Sequence, residues 1–196
     1  MTGRKTADRN QENFKRLALI LTGLGLLALG AVALIFLLNP GEEAPVAEKN
    51  WNSVVPQQVN FPAPELNLMD LNGNPVSLSA LTGQVVLLNN WAFWCPPCRD
   101  ELPELQAYYD QRRQQGFTII GVEAGDEKKD VLYHVNLFKL SYPIWLDPDK
   151  ATVIAFRNNT LPNSYVIDRT GQVRLAWSGA VDRAMLEKYV TPLLEE

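Results

Sequence analysis

The sequence predicts an α/β domain built on a mixed sheet and preceded by one membrane-spanning helix, and three observations carry that expectation. Two apolar runs, residues 85–88 and Phe117–Glu123, flank a segment of helical periodicity, the pattern of a strand, a crossover helix and a parallel second strand. Two clusters of turn residues, Asn72, Gly73, Asn74 and Asp168, Arg169, Thr170, Gly171, each join a pair of short strands, so antiparallel hairpins accompany the parallel unit. Residues 17–38 form an uncharged apolar run of 22 residues. At about 1.5 Å per residue, a helix of that length crosses a hydrocarbon core of roughly 30 Å.

The N-terminal part divides by composition. Residues 1–16 form a tail in which Arg4, Lys5, Arg9, Lys15 and Arg16 stand against Asp8 and Glu12, whereas Glu42 and Glu43 follow the apolar run. That asymmetry keeps the tail in the cytoplasm and sends the rest of the chain outward. A cleaved signal peptide is the competing reading, since Ala31, Val32 and Ala33 have the form of a cleavage site. Leu34 and its neighbours to Leu38 extend the apolar stretch past that site, however, and the length favours an uncleaved signal-anchor. Residues 39–60, with Pro40, Pro45 and Pro56, show neither period and read as an extended linker. Beyond the tail lie 13 basic and 20 acidic residues, a net of −7 that argues against a nucleic-acid or anionic-lipid surface.

The folded domain is expected over residues 61–196, enough for one core. Residues 65–71 and 75–78 make the first hairpin, and the strand over 85–90 leads into the helix after Cys95. Leu102, Leu105 and Tyr109 recur at helical spacing until Gly116. After Phe117–Glu123, Gly125 and Asp126 open a second helix with Val131, Leu132, Val135, Phe138 and Leu140 on its apolar side. A short strand at Ile144–Leu146, a short helix at Ala151–Phe156, a hairpin of residues 164–167 and 173–178, and a helix over 182–194 capped by Asp182 complete the order.

Both cysteines of the chain, Cys95 and Cys98, lie in the sequence WCPPC, after an apolar strand and at the opening of a helix. That context is the sequence form of a dithiol redox site. Pro96 and Pro97 suit a first helical turn, where a missing N–H is tolerated. The Cys95 sulfur then sits at a helix N-terminus, whose free amides and dipole favour thiolate and bring a cysteine pKa from about 8.5 to roughly 3.5–7.5. Cys95 is the expected nucleophile, and Cys98, almost one turn on, the more buried thiol that attacks the mixed disulfide. A purely structural disulfide closes so short a loop that it stabilises little. A zinc site needs about four ligands, for which the chain offers, besides this pair, only His134 and carboxylates. No metal or cofactor beyond the Cys95–Cys98 disulfide is implied.

The runs LSALTGQVVLLNNWAFWCPPCRDELPEL, YPIWLDPD and LPNSYVIDRTGQV resemble the TlpA/ResA-like family of thioredoxin-fold proteins, which includes CcmG/DsbE-like cytochrome c maturation reductases. The resemblance covers nearly all of residues 61–194 and rests on a specific W-C-x-x-C-x-x-E-x-P core. It implies a thioredoxin-like fold: a mixed central sheet flanked by helices, an N-terminal hairpin, and a central helix-strand insertion over residues 126–146. It also implies a membrane anchor, with the domain outside the cytoplasmic membrane. The family's cis-proline matches Pro162, which would set the Leu161 backbone beside Cys95 for a substrate segment to pair with as an added strand. On spacing alone Glu101 reads equally as a helix-surface acid favoured by the dipole or as a carboxyl that reaches the dithiol. The resemblance makes it the group that tunes proton transfer. Asn89 stands where thioredoxins in general carry a buried aspartate, as is usual in this family. Asn90 and Asn163 depart from the family's usual Phe and Thr, which reshapes the expected substrate groove.

Trp94 and Pro96, flanking Cys95, are expected to line that groove, whereas Trp91 and Trp145 read as core. His134 reads as a solvated helix residue, and Asp147 as a cap for the short helix. The resulting expectation is a thiol-disulfide oxidoreductase that reduces protein disulfides. The resemblance implies apocytochrome c thiols as substrate and a membrane thiol-transfer protein as electron donor. A thiol peroxidase is an alternative, although its usual threonine turn before a single reactive cysteine is absent. A membrane-tethered binding or chaperone-like module using the groove without turnover is a third reading.

Overall fold

A computed structural model describes Gly23 and residues 53–196, the latter lying in one of the chain's two units, Trp51–Glu196. The expected membrane-spanning helix at residues 17–38 falls outside the described residues, apart from Gly23. Among the described residues, no helix is long and apolar enough to cross a membrane.

Eight strands form one mixed sheet: β1 (Gln57–Pro62), β2 (Asn67–Asp70), β3 (Pro75–Ser77), β4 (Val85–Trp91), β5 (Phe117–Glu123), β6 (Ile144–Leu146), β7 (Asn163–Ile167) and β8 (Gln172–Ser178). Their spatial order is β1-β8-β7-β4-β5-β6-β2-β3. The centre, β4 to β6, is parallel, because helices α1 (Pro96–Arg112) and α2 (Lys128–Leu137) carry the chain back across the sheet. All other pairs are antiparallel. Central strands β4 and β5 are buried along their whole length, hence their unbroken apolar runs.

Alternation along β4 divides the core in two. Val85, Leu87 and Trp91 face a cluster closed by Leu102, Leu105 and Tyr108 of α1, Val131 of α2, and Leu186, Leu193 and Leu194 of the C-terminal helices. Val86 and Leu88 face the other cluster, with Leu66, Ile120, Val122, Trp145, Tyr165 and Val173. There, helix α3 (Ala151–Phe156) lays Phe156 on Tyr165, ring centroids 3.9 Å apart. Asp147 holds that helix start, accepting from the amides of Ala151 and Thr152 at 2.7 and 2.9 Å and from the Thr152 hydroxyl at 2.6 Å.

Several boundaries differ from expectation. The folded domain starts before residue 61: β1 pairs with β8, and the Val54 amide donates to the Ala180 carbonyl at 3.1 Å. As an edge strand exposed at most positions, β1 leaves no periodic trace in sequence, so it reads as linker. The first hairpin strand is trimmed to Asn67–Asp70, and α2 begins at Lys128 rather than Gly125. Leu132, expected on the apolar side of α2, is exposed. The last helix divides into α4 (Arg183–Tyr189) and α5 (Thr191–Leu194), the break falling where Pro192 has no N–H to continue the ladder. Gly121 of β5 is crowded: a Cβ there would meet Ile144 Cδ1 at 2.7 Å and Trp91 Nε1 at 3.2 Å, so any side chain would make these neighbours shift.

Candidate active site

Cys95 and Cys98 are joined in a disulfide with Cα atoms 5.3 Å apart. Cys95 is the N-cap of α1, and its Sγ accepts the Cys98 amide at 3.3 Å. The two prolines give this contact its meaning. Pro96 and Pro97 have no N–H, and the Arg99 amide is taken by the Cys95 carbonyl at 3.2 Å. The first-turn donor left for an anion at the helix end is therefore the Cys98 N–H, and it points at the Cys95 sulfur. Cys95 is 5 % exposed and Cys98 fully buried, which makes Cys95 the outer sulfur.

Glu101 does not lie on the helix surface. It is wholly buried on the face of α1 that also carries Cys98, one turn away. Asn89 of β4 donates through Nδ2 to Glu101 Oε1 at 2.7 Å and to Ser164 Oγ at 3.0 Å, and the Val181 amide donates to Oε2 at 3.2 Å. Burial pushes the Glu101 pKa up to about 8, against the opposing pull of the Asn89 and Val181 hydrogen bonds. At neutral pH this carboxyl holds a proton beside the disulfide. Burial, and then the charge of Glu101, push the Tyr142 hydroxyl up as well, so it stays neutral.

The Leu161–Pro162 bond is cis. Antiparallel β4 and β7 place Asn90 opposite Asn163, so the start of β7 meets the end of β4, from which the cysteine turn departs. Pro162 is buried, and Leu161 packs on the cluster that holds both cysteines. Trp94 is 60 % exposed and Pro96 is exposed, both flanking Cys95 at the surface. Asn90 and Asn163 are buried instead of lining a groove: Asn90 Nδ2 donates to Asn163 Oδ1 at 2.6 Å, and Asn163 Nδ2 to the Thr160 carbonyl at 2.5 Å. They tie the loop bearing Leu161 and Pro162 to β4.

Sequence reasoning missed two groups at this end of the sheet. His134 is half-buried, its ring stacked 5.4 Å from Phe93 in the turn before Cys95. Glu123 and Asp126 meet beside the same turn, and Asp126 Oδ2 accepts the Phe93 amide at 3.1 Å. The available signal was an acid at the carboxyl end of an apolar parallel strand, the end where open α/β sheets bind ligands.

A thioredoxin-like sheet with a dithiol at the N-terminus of the helix after its central strand, beside a buried carboxyl and a cis-proline, defines a thiol-disulfide oxidoreductase. Residues 59–176 match the model of the AhpC/TSA family. The thiol-disulfide oxidoreductase ResA of Bacillus subtilis is 32% identical over 128 residues, 65% of this chain and 72% of the relative. ResA of Geobacillus kaustophilus is 32% identical over 132 residues, covering 67% and 76%. A Chlorobium tepidum structure assigned as thiol:disulfide interchange protein DsbE superposes with a TM-score of 0.65 at 28% identity, over 70% of this chain and 98% of that one. The chain belongs to the AhpC/TSA family, among its ResA/DsbE-like thiol-disulfide oxidoreductases.

Proposed function

We propose that the protein is a membrane-tethered reductase of protein disulfides, with its thioredoxin-like domain outside the cytoplasmic membrane. Residues 1–16 form the cytoplasmic tail, residues 17–38 the anchor, and the residues after it the tether. The uncharged run and the basic tail support this topology. Apocytochrome c is the substrate class suggested by the family resemblance, and a membrane thiol-transfer protein the electron donor.

The observation that carries the mechanism is the pairing of an amide-supported outer sulfur with a buried proton-holding carboxyl one turn further on. The Cys95 thiolate attacks one sulfur of the substrate disulfide, breaking the S–S bond; the first substrate thiolate leaves and takes a proton from water. Cys98 passes its proton to ionised Glu101 and attacks Cys95 Sγ, expelling the second substrate thiolate. Two electrons have moved to the substrate, and the enzyme is left with the Cys95–Cys98 disulfide and a protonated Glu101. When the donor reduces that disulfide, the Cys98 thiolate takes the proton back. Trp94, Pro96 and the Leu161–Pro162 segment receive the substrate chain as an added strand.

The test is a trap. Full-length Cys98→Ser in the native host, acid-quenched, is expected to hold apocytochrome c or one or two defined proteins through Cys95. Many unrelated partners would indicate general disulfide exchange, and none would leave a binding module. Purified wild type is expected not to consume peroxide, which separates the peroxidase reading.

A further inference from the structure

Glu123 ends β5, with Trp91 of β4 and Leu146 of β6 as its neighbours in register, and it is 1 % exposed. The charged group that faces it is Asp126 from the following turn; the Asp147 carboxylate, at the end of β6, is turned to the start of α3. The Asp126 amide donates to Glu123 Oε2 at 2.9 Å, which draws the two acids into one turn. Two carboxylates held this close in a buried turn repel each other, which favours keeping a proton on one of them. Glu123 Oε1 is buried and has no donor among the described residues, which is costly for an ionised oxygen and not for a protonated one. Burial, and then Asp126, push the Glu123 pKa up to about 8, in agreement with the geometry.

Asp126 Oδ2 accepts the Phe93 amide at 3.1 Å. Phe93 lies two residues before Cys95, and its ring stacks on His134 of α2. The Ala92 carbonyl in turn accepts the Cys95 amide at 3.2 Å. The turn that presents the nucleophile is thus held from the insertion by one backbone hydrogen bond and one ring contact.

We infer that Glu123 and Asp126 form a carboxyl pair sharing one proton, and that this pair positions the Phe93–Cys95 turn for attack by Cys95. Both are positioning residues. The inference rests on the reading of Cys95 as nucleophile and deepens it. The pair lets an acid at the mouth of the site grip a backbone amide while staying a single negative charge next to a developing thiolate.

The experiment uses the full chain with carboxyl-labelled glutamate. The Glu123 carboxyl carbon, followed by NMR in the oxidised protein, is expected to remain protonated at pH 6 and to ionise only toward alkaline pH. Glu123→Gln keeps a donor for Asp126 and is expected to retain the rate at which the reduced protein forms a mixed disulfide with a small aromatic disulfide. Glu123→Leu removes that donor, and a misplaced turn is expected to slow the reaction by about ten- to a hundredfold. An ionised Glu123 at pH 6 overturns the inference on the wild type alone, even where Glu123→Leu fails to fold. A folded Glu123→Leu reacting at the wild-type rate overturns it equally. Attack through Cys98 in the wild type would instead fail the nucleophile reading, and the Glu123 titration tells the two failures apart.

Discussion

Glu101 has the environment of a stored proton rather than of a surface charge. A carboxyl on an exposed first turn interacts with the helix dipole and little else, and its replacement by glutamine changes stability by at most about 1 kcal/mol. Glu101 is instead buried between α1, Asn89 and Val181, one turn from Cys98. Glu101→Gln is expected to lower the rate of disulfide exchange at neutral pH by about a hundredfold, as for loss of a positioned acid–base group. It should also move the pH profile of Cys98 alkylation in the reduced protein. An unchanged profile contradicts the role assigned to Glu101. This residue was legible only as one of two readings, because the i, i+3 spacing from Cys98 fixes a helix face but not whether that face is covered. The cover comes from Asn89, twelve residues earlier on β4, and from Val181, eighty residues later.

Legibility at the scale of elements follows burial. Strands β4, β5 and β7 are buried on both faces, and α1 shows a helical stripe, so apolar runs and turn residues mark them. The cysteine turn was legible for the same reason, since it joins the clearest strand to the clearest helix. The edge strand β1 was not, because an exposed strand with one partner has no reason to alternate. Gly121 was equally silent: the crowding by Ile144, Tyr142 and Trp91 that a Cβ would meet exists only once β4, β5 and β6 are in register. Asp147, expected as a cap, receives three donors at the start of α3. Asp147→Ala orphans two amides and a buried hydroxyl, and is expected to cost about 2 kcal/mol of unfolding free energy in denaturant titrations. A loss of a few tenths of that would mean that α3 is held by Phe156 packing and not by its cap.

For the molecule as a whole, two buried acids couple stability to pH. Glu101 and Glu123 both have folded pKa values of about 8 against an ordinary 4.5, so the native state binds their protons more tightly than the unfolded chain does. Their stabilising contribution is fully present below pH 4.5 and is lost as pH rises through about 8. Between those limits each acid lowers stability by up to about 1.4 kcal/mol per pH unit. Asp168 opposes this at the acid end, since hydrogen bonds from Thr170, Gln172 and Arg174 outweigh its burial and hold its pKa down to about 2. The oxidised domain should therefore be most stable in mildly acidic solution and weaken toward pH 8, and Glu101→Gln should flatten that slope; thermal melts at fixed ionic strength across pH 5 to about 9 measure both. Stability that rises over this range contradicts the protonated state assigned to the two glutamates.

The central claim is that Cys95 is the sulfur that attacks and Cys98 the one that resolves. It is tested most directly by reducing the full chain, exposing it briefly to limiting iodoacetamide near neutral pH, and mapping the first modified sulfur by mass spectrometry. Alkylation at Cys95, with Cys98 still a free thiol, is the predicted result. First alkylation at Cys98, or equal labelling of the two, contradicts it.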